Sequence, residues 1–127
     1  MSVIEKTIGG EKRAFRFGLG FLGEILDELD TDISGFGAKL VKNPFKVVPL
    51  ILYYSYKSEC EIQSRTLDIT LGDVYNWLEK YEGSYSHPDV NDILELMMDS
   101  VMKYIPKYEG SSEDPVKPKK KSIGKKT

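Results

Sequence analysis

The chain has 127 residues, 40% hydrophobic and 30% charged, an ordinary balance for one globular domain and too polar for a membrane-embedded one. Its longest apolar run, from Val47 to Tyr54, falls far short of the about 20 residues a bilayer span needs. The net charge of −2 hides a division: residues 1–106 carry 11 Lys/Arg against 17 Asp/Glu, whereas 107–127 carry 7 Lys against 3 acids. An acidic body disfavours a nucleic-acid-binding fold, which needs clustered lysine and arginine.

Residues 3–8 and 12–17 flank Gly9-Gly10, the pattern of a β-hairpin, because Gly-Gly accepts the positive φ angles of tight hairpin turns. Phe15 and Phe17 share a face of the second strand, with Val3 expected to face them from the first. A lone hairpin is marginal in water, so these aromatics must lie on helices or meet another copy's hairpin. Leu22, Ile25, Leu26 and Leu29 then repeat at helical spacing over residues 19–29. Thr31 or Asp32 can cap a second, short helix carrying Ile33, Phe36, Leu40 and Val41, weakened by Gly35 and Gly37.

Asn43-Pro44 is a helix start, an N-cap followed by proline at the first helical position. Pro49 predicts a kink or a fresh start near Val48, since a proline inside a helix removes a hydrogen bond and costs about 3 kcal/mol. Around this third helix Leu50, Ile51, Leu52, Tyr53, Tyr54 and Tyr56 nearly encircle the axis, so it should be the most buried helix of the monomer or of an assembly. Thr70 with Asp73 opens a fourth helix as a capping-box variant, with Val74, Trp77, Leu78 and Tyr81 on one face and Gly83-Ser84 ending it. His87-Pro88-Asp89 opens the last helix, whose stripe is Val90, Ile93, Leu94, Met97, Val101 and Ile105, and Pro106 stops it. The expected fold is α+β, mostly α: an N-terminal β-hairpin followed by about five helices in a single domain over 1–106. The Lys-rich tail over 107–127 cannot bury enough surface to offset ordering and is expected to be disordered.

Gly18, Gly20 and Gly23 spell G-x-G-x-x-G after a strand and before a helix. A dinucleotide site needs a return strand and an acid about 20 residues downstream. A second helical pattern follows instead, and 38–43 hold no acid. A Walker loop fails as well, because no Lys-Ser or Lys-Thr follows. The glycines read as a joint, Gly18 turning the chain while Gly20 and Gly23 admit a close backbone.

His87 is the only histidine, at a helix start where capping or exposure is the usual role. Cys60, the only cysteine, sits between Glu59 and Glu61, which is no zinc spacing, and flanking carboxylates raise a thiol's pKa. Its solitude excludes an internal disulfide, and no secretory leader opens the chain, which favours a cytoplasmic setting. The acids Glu24, Asp27, Glu28, Asp30 and Asp32 read as a solvated face rather than a calcium loop. No catalytic residue, cofactor site or metal site is assigned, and no enzyme is expected. Met97, Met98 and Met102 read as core filling rather than a promiscuous groove. Tyr53, Tyr54 and Tyr56 cannot all point at one small core. They are either half-buried or part of an oligomer interface.

The run "KRAFRFGLGFLGEI" leading into a helix, "VPLILYYSYKSECE", and the late "T-x-x-D-V-x-x-W-L" helix resemble the tail assembly chaperones of long-tailed bacteriophages, the counterparts of the lambda-type G protein. The similarity covers roughly residues 3 to 82. It implies a non-enzymatic role: binding the tape-measure protein, recruiting tail-tube protein, and leaving before the virion is finished, all in the host cytoplasm. Many such proteins are made in two forms by ribosomal frameshift, and codons for Lys119-Lys120-Lys121 can contain a slippery heptamer. Shielding a helical client requires exposed apolar surface and self-association into a homo-oligomer. Phe15, Phe17, Phe36, Tyr53, Tyr54, Tyr56 and the hairpin edge are the interface candidates. The competing readings are a small structural tail or head-tail connector protein, and a nucleic-acid-associated factor acting through the lysine tail.

Overall fold

The computed structural model describes residues 2–81 and 84–104. A two-stranded antiparallel hairpin, β1 (Val3–Ile8) and β2 (Glu11–Arg16), leads into α1 (Leu19–Leu29), α2 (Ile33–Lys42), α3 (Pro44–Ile62), α4 (Leu71–Lys80) and α5 (Pro88–Met102), with a single 3₁₀ turn at Ser84–Ser86 before α5. The expected end of the domain at 105–106, the lysine tail and Gly83 lie outside the described residues.

Gly9 and Gly10 take φ of 67° and 85°, as the two-residue turn requires. That turn fixes the register, so Ile8 faces Glu11, Ile4 faces Phe15 and Val3 faces Arg16. Directly opposed residues share a face of the sheet. Ile4 and Ile8 therefore accompany Phe15, and Val3 lies on the other face with Arg16, contrary to the expectation from sequence. Gly9 has a second duty: a Cβ there would fall 2.2 Å from Nε1 of Trp77 on α4.

Three helix starts are capped by side chains, whereas α1 begins at Gly18 without one and Asn43 precedes Pro44 at the start of α3 without a side-chain cap bond. Asp32 accepts from the Gly35 N–H at 2.9 Å, and Thr70 and Asp73 exchange both bonds of a capping box. The His87 side chain caps α5, its Nδ1 accepting from the Asp89 N–H at 3.1 Å. These bonds satisfy N–H groups that the first helical turn leaves without intrahelical partners.

Helix α3 is the axis of the molecule. It packs against β2, α1, α2 and α4, and it buries eleven residues from Val47 to Cys60, which accounts for its nearly continuous apolar character. The helix runs unbroken through Pro49, with no restart near Val48. The reason is tertiary. Proline deprives the carbonyl four residues earlier, that of Phe45, of its N–H donor, and the Tyr85 hydroxyl donates to that carbonyl at 3.0 Å. Ion pairs tie other elements to α3: Arg16 Nε donates to Glu59 Oε1 at 2.8 Å, and Lys57 binds Glu24 of α1.

Candidate protein interface

Four of the six aromatic residues expected at an interface are core residues of the monomer. Phe15, Phe17 and Tyr56 are buried where the hairpin lays its inner face on α3, and Phe36 is buried on α2, which packs on α1 and α3. Phe15 meets Tyr56 at 6.0 Å between ring centroids, and Phe17 stands edge-on to Phe21 at 4.9 Å. Only Tyr53 and Tyr54 remain partly exposed, packed edge to face at 5.2 Å. The Tyr54 hydroxyl donates to Glu28 at 3.1 Å. Burial first, and Glu28 second, push that hydroxyl up to about 12.

The sequence reading missed a charge placed among these rings. Arg13 is 7% exposed. Its Nε donates to the Ile8 carbonyl at 3.1 Å, and Nη1 donates to the Tyr56 hydroxyl at 3.0 Å. Asp68 and Glu11 stand 3.6 and 3.7 Å from the guanidinium, which lies over the rings of Trp77 (4.8 Å) and Tyr56 (5.2 Å). Tyr56 in turn donates to Asp68 at 2.7 Å. That bond, more than the arginine, holds the Asp68 carboxyl below its usual range, while burial and then Asp68 push the Tyr56 hydroxyl up to about 12. With Nε and Nη1 donating to Ile8 and Tyr56 and two carboxylates close by, Arg13 braces the fold. One signal was available: Arg13 shares the strand face of Phe15 and Phe17 by the two-residue period.

The glycine motif is a joint of a different kind from the one expected. Gly18 has φ of −119°, extended backbone open to any residue. A Cβ at Gly23 would stand in open space, and of the three only Gly20 is confined, since a Cβ there would fall 3.1 Å from the Ser58 hydroxyl. The sheet is the two-stranded hairpin, with no parallel return strand among the described residues. His87 is engaged as a cap and stacks on Tyr81 at 4.0 Å. Cys60 is buried, and its neighbour Glu59 is bound to Arg16. Among the described residues no three of His, Cys, Asp and Glu are grouped to hold a metal.

Exposed apolar side chains lie elsewhere, Leu19 and Ile62 among them, and two groups stand out. The first surrounds Phe45, which is 69% exposed and packs on Tyr85 at 5.4 Å. Exposed Val41, in the last turn of α2, is nearby in sequence. The Tyr85 hydroxyl is raised above its ordinary value by burial, then by Tyr75 and Glu79; the 3₁₀ turn that carries it packs against α4. The second is the outer face of α5, where Met98 and Met102 are 48% and 59% exposed. The methionines expected as core divide accordingly: Met97 is buried and the other two face water. Phe45 offers no periodicity to mark it, since it falls in the first turn of α3.

No family model, curated protein or solved structure matches this chain. Its surfaces therefore have to be read from their own chemistry. Phe45 with Tyr85, and Leu94 with Met98 and Met102, offer apolar area beside polar groups, which suits contact with another polypeptide.

Proposed function

We propose that this protein is a tail assembly chaperone of a long-tailed phage. In this reading it binds the tape-measure protein without covalent chemistry, keeps that helical chain soluble in the host cytoplasm, and brings tail-tube protein to it. The observation that carries the reading is the exposed apolar surface around Phe45 and along α5, because shielding a helical client needs such surface. The resemblance adds to it. The two stretches that carry it pack together, Arg13 of "KRAFRFGLG" lying over Trp77 of "TLGDVYNWL".

The test is co-expression with the tape-measure protein encoded beside it. The client is expected to be soluble and to co-purify with this chain, and mass spectrometry of finished particles is expected to find none of it. Its presence in particles would instead make it a tail or connector component. A gene without an A-rich slippery run at the codons for Lys119-Lys120-Lys121 would remove the frameshifted longer form from the proposal. Light scattering is expected to give a mass above the 14.4 kDa of the monomer, and a clean monomer at high concentration would remove self-association.

A further inference from the structure

We infer that the outer face of α5 is a docking strip for an amphipathic α-helix that carries lysine or arginine beside its apolar stripe. The inference rests on the reading of the protein as a holder of a helical client, and it adds the face used and the charge the client must bring.

Helix α5 is apolar on two sides. Val90, Ile93, Met97 and Val101 face the core. Leu94, Met98 and Met102 recur at four-residue steps, so they form a second line along the helix. Leu94 is half-buried, while Met98 and Met102 are open to water. Glu95 and Asp99 repeat the same step beside them, and both border the shallow depression that Leu94 and Met98 share.

The charges select the occupant. Earlier on the helix, Asp89 and Asp92 are satisfied within the monomer by Lys6 of β1, at 3.6 and 2.7 Å. Lys103, just past the end of the helix, is turned to the Ser2 hydroxyl at 3.3 Å. Glu95 and Asp99 form no ion pair among the described residues. A ligand that covers Leu94 and Met98 takes water from these two carboxylates, which is costly unless it supplies cations. A second copy docked through the same face would bring the same acids, since a two-fold interface sets a patch against itself. A client helix with a basic flank meets both requirements. Methionine's unbranched, polarizable side chain adapts to differing apolar partners, which suits a long client whose successive turns vary.

The experiment uses the full chain and two synthetic helical peptides with one leucine stripe, flanked by lysine in the first and by glutamate in the second. NMR titration at low salt is expected to show the lysine peptide binding at least about tenfold more tightly, with shifts centred on Leu94, Met98 and Met102. The double variant Glu95→Lys/Asp99→Lys should reverse the preference, and Met98→Asp should abolish binding while circular dichroism stays unchanged. Equal affinity for the two peptides, or shifts centred on Phe45 and Tyr85, would overturn the strip. So would a lack of binding because the chain's own Lys-rich end covers the face. If the peptides fail while the full client still co-purifies, the strip alone is wrong. If both fail, the chaperone reading falls with it.

Discussion

The Arg13 junction and the outer face of α5 are made from the same ingredients, charge set beside large apolar side chains, and they are put to opposite uses. At the junction every partner is supplied by the monomer: Ile8 and Glu11 from the hairpin, Tyr56 from α3, Asp68 from the loop before α4, and Trp77 as a face. On α5 the apolar line is open and its two neighbouring acids have no cation among the described residues. A polar group beside apolar surface is costly when uncompensated. The closed cluster therefore serves stability, and the open strip is placed to serve binding.

Stability measurements can break this contrast. The largest difference is expected between neighbouring methionines on α5. Met97→Ala should cost about 3 kcal/mol in urea unfolding as a core truncation, and Met98→Ala should stay within about 0.5 kcal/mol as a surface change. Similar costs would mean that α5 has no open face. Next, Arg13→Ala should cost about 2–3 kcal/mol through lost packing and through hydrogen-bonding groups left behind at Ile8 and Tyr56. A neutral result would make the junction ornamental.

Smaller effects sharpen the comparison. Gly9→Ala combines a positive φ with a clash against Trp77 and should cost about 2 kcal/mol. Gly10→Ala, at positive φ in open space, should cost about 1 kcal/mol. Tyr85→Phe should cost about 0.5–1 kcal/mol by removing the donor to the Phe45 carbonyl. That cost should shrink in a Pro49→Ala background, where the helix regains its own N–H. A double-mutant cycle reads the difference, and strict additivity would sever the link between Tyr85 and Pro49.

The last effect is on pH. Tyr56 has its hydroxyl raised in the fold from 10.0 to about 12. Its contribution is complete below pH 10 and is lost as pH rises toward 12, because the unfolded chain gives up the proton first. A tyrosinate absorbance titration should show late-titrating phenols from Tyr54 and Tyr56, and Tyr56→Phe should remove one of the two.

Several elements could be read in the chain itself. The Gly9-Gly10 turn set the hairpin, and from its length alone the register follows, although the sequence reading still set Val3 against Phe15. The caps at Asp32, Thr70-Asp73 and His87, and the proline at the first position of α3, marked helix starts because this chemistry acts within three residues. Periodicity told which side of α4 and α5 is apolar. It could not tell that Met98 and Met102 face water, since hydrophobicity along a helix is the same whether its partner is inside the monomer or outside it. For the same reason the sequence could not tell that Phe15, Phe17, Phe36 and Tyr56 are buried in the monomer: large aromatics suit cores and interfaces alike.

By itself, then, the sequence determined the order and kind of the elements, because turns, caps and helical periods act between near neighbours. Tertiary structure alone decided three other matters. It chose which apolar face is spent on the core. It gave Arg13 its companions from four separate segments. It let α3 continue through Pro49 by bringing Tyr85 to the orphaned carbonyl. Each of these joins residues distant in the chain, and such a contact exists only once the helices have closed on the hairpin.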